Sequence, residues 1–398
     1  MEFQSLYLKK GEERRLQAGH LWVFSNEVDI GRTPLIDFDV GAPITIIASN
    51  NKVLGTGYVN PHSLICARLV SRDPHYPFGP PLLIHRLKVA LSLRTSLFPE
   101  PYYRLIYGES DGLPGLTIDR YGDILVVQIT TAGMERIKEI IVAALDRVMP
   151  RNTIVLRNDG PIRCLEGLES YVEVTQGEAP EAIRLPENGG HFLAPLIGGQ
   201  KTGWFFDHRL NRARMQHYVK DKRVLDVFSY LGAWGIQALV AGARQVFCVE
   251  ESEAAVDFIH RNAKLNRRTD SLIALHGEAF SILHTLQANK ERFDVVILDP
   301  PAFIKRKKDL KQGLAAYRRL NELAIRLLTR DGILISSSCS SHLQWDVFRD
   351  ILRRTGRHLD RSIQILEQGH QSPDHPIHPA IPETEYLKAL ICRSLYGA

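Results

Sequence analysis

RVLDVFSYLGAWG, residues 223–235, is an apolar run that reaches Asp226 and then turns through Gly232 and Gly235 toward a helical stretch. An apolar run of this kind reads as a strand covered on both faces, as in a parallel sheet. Working outward, apolar strands and helical segments alternate: ALVAGA, QVFCVE, SEAAVDFIHRNAKLN, FDVVILDPP, YRRLNELAIRLL and GILISSSC. The alternation predicts βαβ units, a parallel sheet with helices on both faces, over residues 189–398. Ligands of such sheets sit beyond the carboxyl ends of the strands. Those ends carry Asp226 to Gly235, Glu250, Glu278, Asp299 and Ser338 to Ser341.

The turn after Asp226 has neither the GxGxxG spacing of a dinucleotide cradle nor the GxxxxGK[ST] spacing of a nucleotide triphosphate loop. The next strand ends in Glu250, about one βαβ unit on, where a carboxylate can accept both hydroxyls of a ribose. An adenosine compound without phosphates fits this pair, and S-adenosylmethionine adds ammonium and sulfonium charges that favour acidic Asp226. The candidate cofactor set is therefore Asp226, Phe228, Ser229, Tyr230, Gly232, Glu250, Glu278 and Asp299. Glu278 is placed to reach an adenine edge or, equally on position, to cap the helix after it.

Asp299 is followed by Pro300 and Pro301, a rigid corner suited to holding a planar substrate. Cys339 lies among five serines at the next strand end, an odd place for a merely buried thiol. C5 of a pyrimidine is too weak a nucleophile to take a methyl group until something adds at C6, and a thiolate does this best. Cys339 is thus the expected nucleophile and Asp299 the group that hydrogen-bonds the base. His342, His375 and Glu383 are candidates for the base that removes the C5 proton. A base within folded RNA must leave its stack, so a cationic surface is expected around the pocket. Pro300, Pro301, Phe303, Lys305, Arg306, Lys307 and Lys308 supply one beside Asp299.

Toward the N-terminus the pattern is different. Short strand candidates WVFSNEV, PITIIAS, KVLGTGYVN and SLICARLVS predict a small β-rich domain over residues 1–72, closed by the proline-rich SRDPHYPFGPPLL. Lys9, Arg14 and Trp22 are its candidate RNA contacts. Residues 73–188 read as α+β: a helix with Leu83, Leu87, Ala90, Leu91 and Leu97 on one face, a strand pair in 102–131, then a helix over MERIKEIIVAALDRVM. The 398 residues carry a formal charge of +5, 44% apolar and 24% charged residues, the balance of a folded chain. Five scattered cysteines without a CxxC pair exclude a disulfide framework and predict no structural metal. With no long apolar run and no apolar core in MEFQSLYLKKGEERR, the expected location is cytoplasmic.

Together GHLWVFSNEV, YGESDGLPGLTIDRYGD, QKTGWFFDHR, VLDVFSYLGAWG, DPPAF, SSSCSS and YLKALICR resemble the bacterial large-subunit (23S) ribosomal RNA 5-methylcytosine methyltransferases with an N-terminal PUA domain. The resemblance runs nearly end to end. It implies an RNA-binding PUA domain, a central α+β domain, a Rossmann-like class I methyltransferase domain, and ribosomal RNA as partner, with a homodimer left open. It also implies that Gln200, Lys201, Thr202, Gly203, Phe206, Asp207 and Arg209 close over S-adenosylmethionine, a stretch that spacing alone reads as a loop. The chain departs from the family at Ala302, where a lysine commonly follows DPP, and at Glu278, where many members carry aspartate. Uridine C5 and guanine N7 are alternative targets, the latter needing no thiol, and a ribosome-assembly RNA-binding protein without turnover is the alternative of another class.

Overall fold

The computed structural model describes residues 3–73 and 75–396; Pro74, in the proline-rich stretch, and Met1 and Glu2, in the N-terminal stretch, lie outside the described residues. Two compact units form. The first comprises residues 1–182, 195–204 and 373–384, and the second residues 183–194, 205–372 and 385–398.

The first unit holds two five-stranded sheets. Strands β1 (Gln4–Tyr7), β2 (Trp22–Val23), β3 (Pro43–Ile47), β4 (Val53–Val59) and β5 (Ala67–Ser71) pair in the order β1-β3-β4-β5-β2 around buried Leu6, Ile44, Ile46, Val59 and Leu69, with the short helix α1 (Glu13–Gln17) alongside. WVFSNEV, expected as one strand, pairs only at Trp22–Val23. The Glu27 carboxylate accepts from the Phe24 N–H at 2.7 Å and pairs with Arg15 at 2.6 Å, so the chain winds into a 3-10 turn at Ser25–Glu27.

The second sheet, β6 (Tyr102–Tyr107), β7 (Leu116–Tyr121), β8 (Ile124–Ile129), β9 (Thr153–Asn158) and β10 (Tyr171–Gln176), runs in the order β10-β9-β8-β7-β6. Helices α2 (Pro80–Leu97), α3 (Ala132–Arg136) and α4 (Lys138–Val148) accompany it. Three strands stand where a pair was expected in 102–131, and the helix expected over 134–149 breaks at Ile137. On α2 the buried face is Leu83, Leu87, Ala90 and Arg94, whose guanidinium grips Asp111 at 2.6 Å, while Leu97 is exposed.

The second unit is built on seven strands: β13 (Arg223–Val227), β14 (Gln245–Glu250), β15 (Leu272–His276), β16 (Phe293–Leu298), β17 (Leu328–Ser338), β18 (Arg361–Gly369) and β19 (Lys388–Tyr396). A hairpin of β11 (Ala182–Glu187) and β12 (Gly190–Pro195) precedes them. Helices α5 (Arg209–Met215), α6 (Ala233–Val240), α7 (Glu253–Leu265), α8 (Ala279–Ala288), α9 (Leu310–Leu327) and α10 (Trp345–His358) connect the strands. The sheet order is β15-β14-β13-β16-β17-β19-β18. The first five strands are parallel, whereas β19 pairs antiparallel with both β17 and β18, a departure from the purely parallel sheet expected.

Burial explains the strand sequences. Val224, Leu225, Val227, Val296, Ile297 and Leu298 are all at 0% exposure, so residues pointing to either side of β13 and β16 meet a helical layer. On α9, Gly313, Tyr317, Leu320, Ala324 and Leu327 recur at helical spacing and are buried. Each such leucine contributes about 1.5–3 kcal/mol by leaving water. No described helix is long and apolar enough to cross a membrane.

Candidate active site at the carboxyl edge of the second unit's sheet

Asp226, next to last in β13, has 0% exposure. Its Oδ2 accepts from the Gly235 N–H at 2.9 Å, while Oδ1 is buried without a hydrogen-bond partner among the described residues. Burial pushes the carboxyl up to about 7; the Gly235 N–H opposes this, and the Asp299 and Glu250 charges add to it. The turn that follows is strained, with Phe228 at φ 67° and Tyr230 at φ 49°, a region bulky residues seldom occupy outside functional loops. Ser229 Oγ ties it down by donating to the Asp226 carbonyl at 2.8 Å, and the Tyr230 N–H donates to Glu250 at 2.8 Å. Gly232 has φ 79°. A Cβ on Gly235 would stand 2.6 Å from Cys248 Sγ and 3.1 Å from Asp226 Oδ2, so glycine lets α6 close on the carboxylate.

Glu250 accepts from Tyr230 through one oxygen and from the Ser252 N–H, at 2.9 Å, through the other. Each oxygen keeps a lone pair for a ligand hydroxyl. Glu278 accepts from the Phe280 and Ser281 N–H groups and caps α8.

Asp299, at the end of β16, is 23% exposed. Oδ2 accepts from Trp234 Nε1 at 2.9 Å, and Oδ1 lies 3.1 Å from His208 Nε2, a contact too far off line to count as a hydrogen bond. The Asn211 amide faces His208 Nδ1 at 3.1 Å. Burial works to raise the Asp299 carboxyl, but His208 and Trp234 outweigh it and hold the group below the ordinary carboxylate range.

Cys339, just past β17, is partly exposed, with Sγ 3.9 Å from the Pro300 carbonyl. The pairing of β16 with β17 brings the two strand ends together. Ser340 Oγ donates to the Ile304 carbonyl at 2.5 Å, and the Tyr317 and Ser338 hydroxyls share a 2.8 Å hydrogen bond, which fixes the backbone around the thiol. Burial pushes the Tyr317 phenol up to about 12, so it remains protonated. Phe303 packs on Tyr317 and Phe228 with ring centroids 4.8 and 6.5 Å away.

Residues 6–72 match the family model of the PUA-like domain, and residues 164–393, more than half of the chain, match that of the S-adenosylmethionine-dependent methyltransferases. The chain is 37% identical over 396 residues to Ribosomal RNA large subunit methyltransferase I of Aliivibrio fischeri strain MJ11, covering 98% of this chain and 99% of that protein. Its namesake in Escherichia coli O139:H28 is 37% identical over 395 residues, at 98% of each chain. The chain belongs to the ribosomal RNA large subunit methyltransferase I family. Among solved structures, this methyltransferase shares its fold with an S-adenosylmethionine-dependent methyltransferase from Streptococcus mutans, at TM-score 0.83 and 21% identity over 98% of this chain and 100% of that one. A second structure, a methyltransferase complexed with SAH, aligns at TM-score 0.83 and 21% identity over 99% and 100%.

S-adenosylmethionine is the cofactor of this methyltransferase. The β13 and β14 ends fit it: a buried carboxylate oxygen without a partner, and Glu250 beside it, suit a cationic ligand carrying a ribose and would repel a phosphate. Phe206 and Asp207 lie in the 3-10 turn just before α5, where Asp207 accepts from Tyr386 Oη at 2.5 Å. Arg209 lies 3.5 Å from Glu187, which also takes Arg212 at 2.6 Å. Gln200, Lys201, Thr202 and Gly203 belong to the first unit, where Thr202 donates to Asp119 and accepts through its carbonyl from Tyr121.

Of the candidate releasing bases, His342 is in the second unit with Cys339. His375, buried with Nδ1 2.9 Å from Asp374, and Glu383 are in the first. Pro301, Lys305, Arg306, Lys307 and Lys308 are exposed after β16, and Pro300 is buried. Lys305, Lys307 and Lys308 have no carboxylate within 4 Å among the described residues, whereas Arg306 pairs with Asp309 at 3.3 Å. In the first unit Lys9 and Arg14 are exposed. Trp22 donates to Glu109 at 2.9 Å and lines a cavity of about 700 Å³ with Arg68, Glu166 and Glu383. No cluster of metal-ligating side chains occurs among the described residues.

Sequence reasoning missed His208, Trp234, Tyr317 and Lys388. The first two lie inside the stretches FDHR and LGAWG, yet nothing in their spacing announces that both point at Asp299.

Proposed function

We propose that this protein methylates C5 of cytosine in large-subunit ribosomal RNA through a covalent adduct to Cys339. The observation that carries the reading is a partly exposed thiol 3.9 Å from the Pro300 carbonyl, at a strand end adjacent to Asp299. The names of the 37% identical relatives support the ribosomal substrate, and the match of residues 6–72 to the PUA-like family supports RNA as partner. When bound, S-adenosylmethionine supplies an electrophilic methyl group on its sulfonium.

The Cys339 thiolate adds to C6, forming a C–S bond and moving the ring's electron pair toward C5, which then takes the methyl group. The Asp299 carboxylate, preorganised by Trp234 and His208, accepts from the amino group of the base and orients it, and solvent protonates N3 as the thiolate adds and takes that proton back as the C–S bond breaks. A base removes the C5 proton, the C–S bond breaks, and the thiolate returns. Lys305, Lys307 and Lys308 hold phosphates around the extruded nucleotide. The division at about residues 72 and 188, the closure of residues 200–209 over the cofactor, the adenine contact of Glu278 and a cytoplasmic location belong to the same proposal.

The test is methyl transfer from labelled S-adenosylmethionine to unmodified ribosomal RNA, followed by mass spectrometry of the product nucleoside. Cys339→Ala is expected to abolish incorporation and the wild type to yield 5-methylcytidine. Full transfer by Cys339→Ala would overturn the covalent route, and a methylated uridine would overturn the choice of base.

A further inference from the structure

The cavity that Trp22 lines, about 700 Å³, is built entirely from residues of the first unit. Small-molecule sites run to roughly 300–1,000 Å³. Three aliphatic side chains of the lining are left uncovered, Leu64 at 70% exposure, Ile162 at 51% and Leu165 at 69%. Large apolar groups gathered around one cavity mark a surface that a ligand covers. Trp22 is held in place: Nε1 donates to Glu109 Oε1 at 2.9 Å, and the His20 ring makes a T-shaped contact with the indole, centroids 5.4 Å apart. Glu109 Oε2 has no hydrogen-bond partner among the described residues. Apart from His62, the charged side chains of the lining are Arg68, Glu109, Glu166 and Glu383. Arg68 is neutralised by Glu166 at 3.0 Å, which leaves the carboxylates of Glu109 and Glu383 to set the sign of the cavity. Such a cavity repels phosphate. Beside it Arg72 is exposed, donates to the His20 carbonyl at 3.0 Å, and has no carboxylate within 4 Å among the described residues.

We propose that this cavity receives an unstacked guanine of single-stranded RNA, a second recognised nucleotide besides the one that is methylated. This rests on the reading of RNA as partner and not on the role of Cys339. An apolar, acidic interior with a cation beside it sorts a nucleotide by its parts, base inward and phosphate outward. Trp22 and Tyr107 bring aromatic rings to the lining, the usual surface for a base that has left its stack. Guanine presents N1–H and the N2 amino group side by side, so a carboxylate accepts from both at once. Each other base sets an acceptor beside its donor on that edge, and the acceptor would face the Glu109 oxygens unpaired. Because the Trp22 N–H already holds Oε1, the carboxylate is oriented before the base arrives.

The experiment labels the full chain with fluorotryptophan and follows the fluorine NMR signals of its four tryptophans, that of Trp22 assigned through Trp22→Phe, during titration with RNA pentamers in the absence of cofactor. The probes are UUUUU and its relatives with guanosine, adenosine or cytidine at the centre. UUGUU is expected to shift the Trp22 signal saturably and to bind about tenfold or more tighter than the rest, the discrimination of one bidentate base contact. Glu109→Gln, which still accepts from Trp22, is expected to remove that preference. A Trp22 signal unmoved by UUGUU in the wild type overturns the proposal, and needs no variant to fold. Equal affinity for all the pentamers overturns it too, as does an undiminished preference in a folded Glu109→Gln. A Trp22 shift caused by spermidine and by none of the pentamers overturns it in favour of an organic cation. Binding of the pentamers without preference would leave RNA standing as partner, whereas no binding of any, together with no methyl incorporation into ribosomal RNA, would sink the reading on which the proposal rests.

Discussion

Asp226 should make cofactor binding expel a proton. Without ligand its carboxyl is buried, has one oxygen without a partner, and is pushed from 3.8 to about 7. An ammonium placed against that oxygen would return it to the ordinary carboxylate range, a change of about three pH units. At 1.36 kcal/mol per unit this is about 4 kcal/mol of coupling between cofactor and proton, taken as an upper bound. The sign follows from the raised value: between pH 4 and 7 the free protein binds a proton that the complex does not. The association constant should therefore rise about tenfold per pH unit up to pH 7 and then level. The free protein, conversely, should lose stability as pH rises through the same window, since ionisation is resisted only in the folded state.

Calorimetry of S-adenosylmethionine binding at pH 6, in two buffers of different ionisation enthalpy, should give about 0.9 proton released per cofactor bound. The cofactor's own ammonium stays charged at that pH. Asp226→Asn should bind more weakly, release almost none, and lose the pH dependence. Wild-type release below about 0.2 proton, or unchanged release in Asp226→Asn, would refute the assignment of Asp226 to the cofactor's cationic end.

Trp234→Phe removes the donor to Asp299 Oδ2, and a hydrogen bond to a charged acceptor is worth about 1.5–3 kcal/mol. In a methyl-transfer assay kcat should fall about tenfold or more, with the acid limb of the pH profile moving up because Asp299 is no longer held down. Gly235→Ala drives a methyl group against Cys248 and the Asp226 carboxylate and should destabilise by about 1–3 kcal/mol in denaturant unfolding. Glu278→Ala removes the cap of α8 and should cost about 1 kcal/mol in the same assay. Replacing Lys305, Lys307 and Lys308 together by alanine should weaken RNA binding and reduce the slope of log affinity against log salt by about 2, read from filter binding over a salt series.

What was legible in the sequence is what depends on a single strand and its neighbour in the chain. Asp226, Glu250 and Asp299 could be placed at a sheet edge because each ends an apolar run, and burial on both faces leaves no other reading of such runs. Contacts that depend on tertiary return were not legible. His208, 91 residues before Asp299, reaches it from the 3-10 turn that leads into α5. The antiparallel placement of β19 between β17 and β18 follows from no local signal, because an apolar run such as ALIC suits either direction.

That antiparallel strand changes the electrostatics of the whole edge. The β13, β14 and β16 ends present carboxylates, which suits a cationic methyl donor but repels any anion formed nearby. Strand β19 brings a positive charge to this edge, since the register that sets Lys388 opposite Ser338 carries a buried ammonium to the Ser340 carbonyl. The antiparallel strand thus adds a cation to an edge whose parallel strands end in acids.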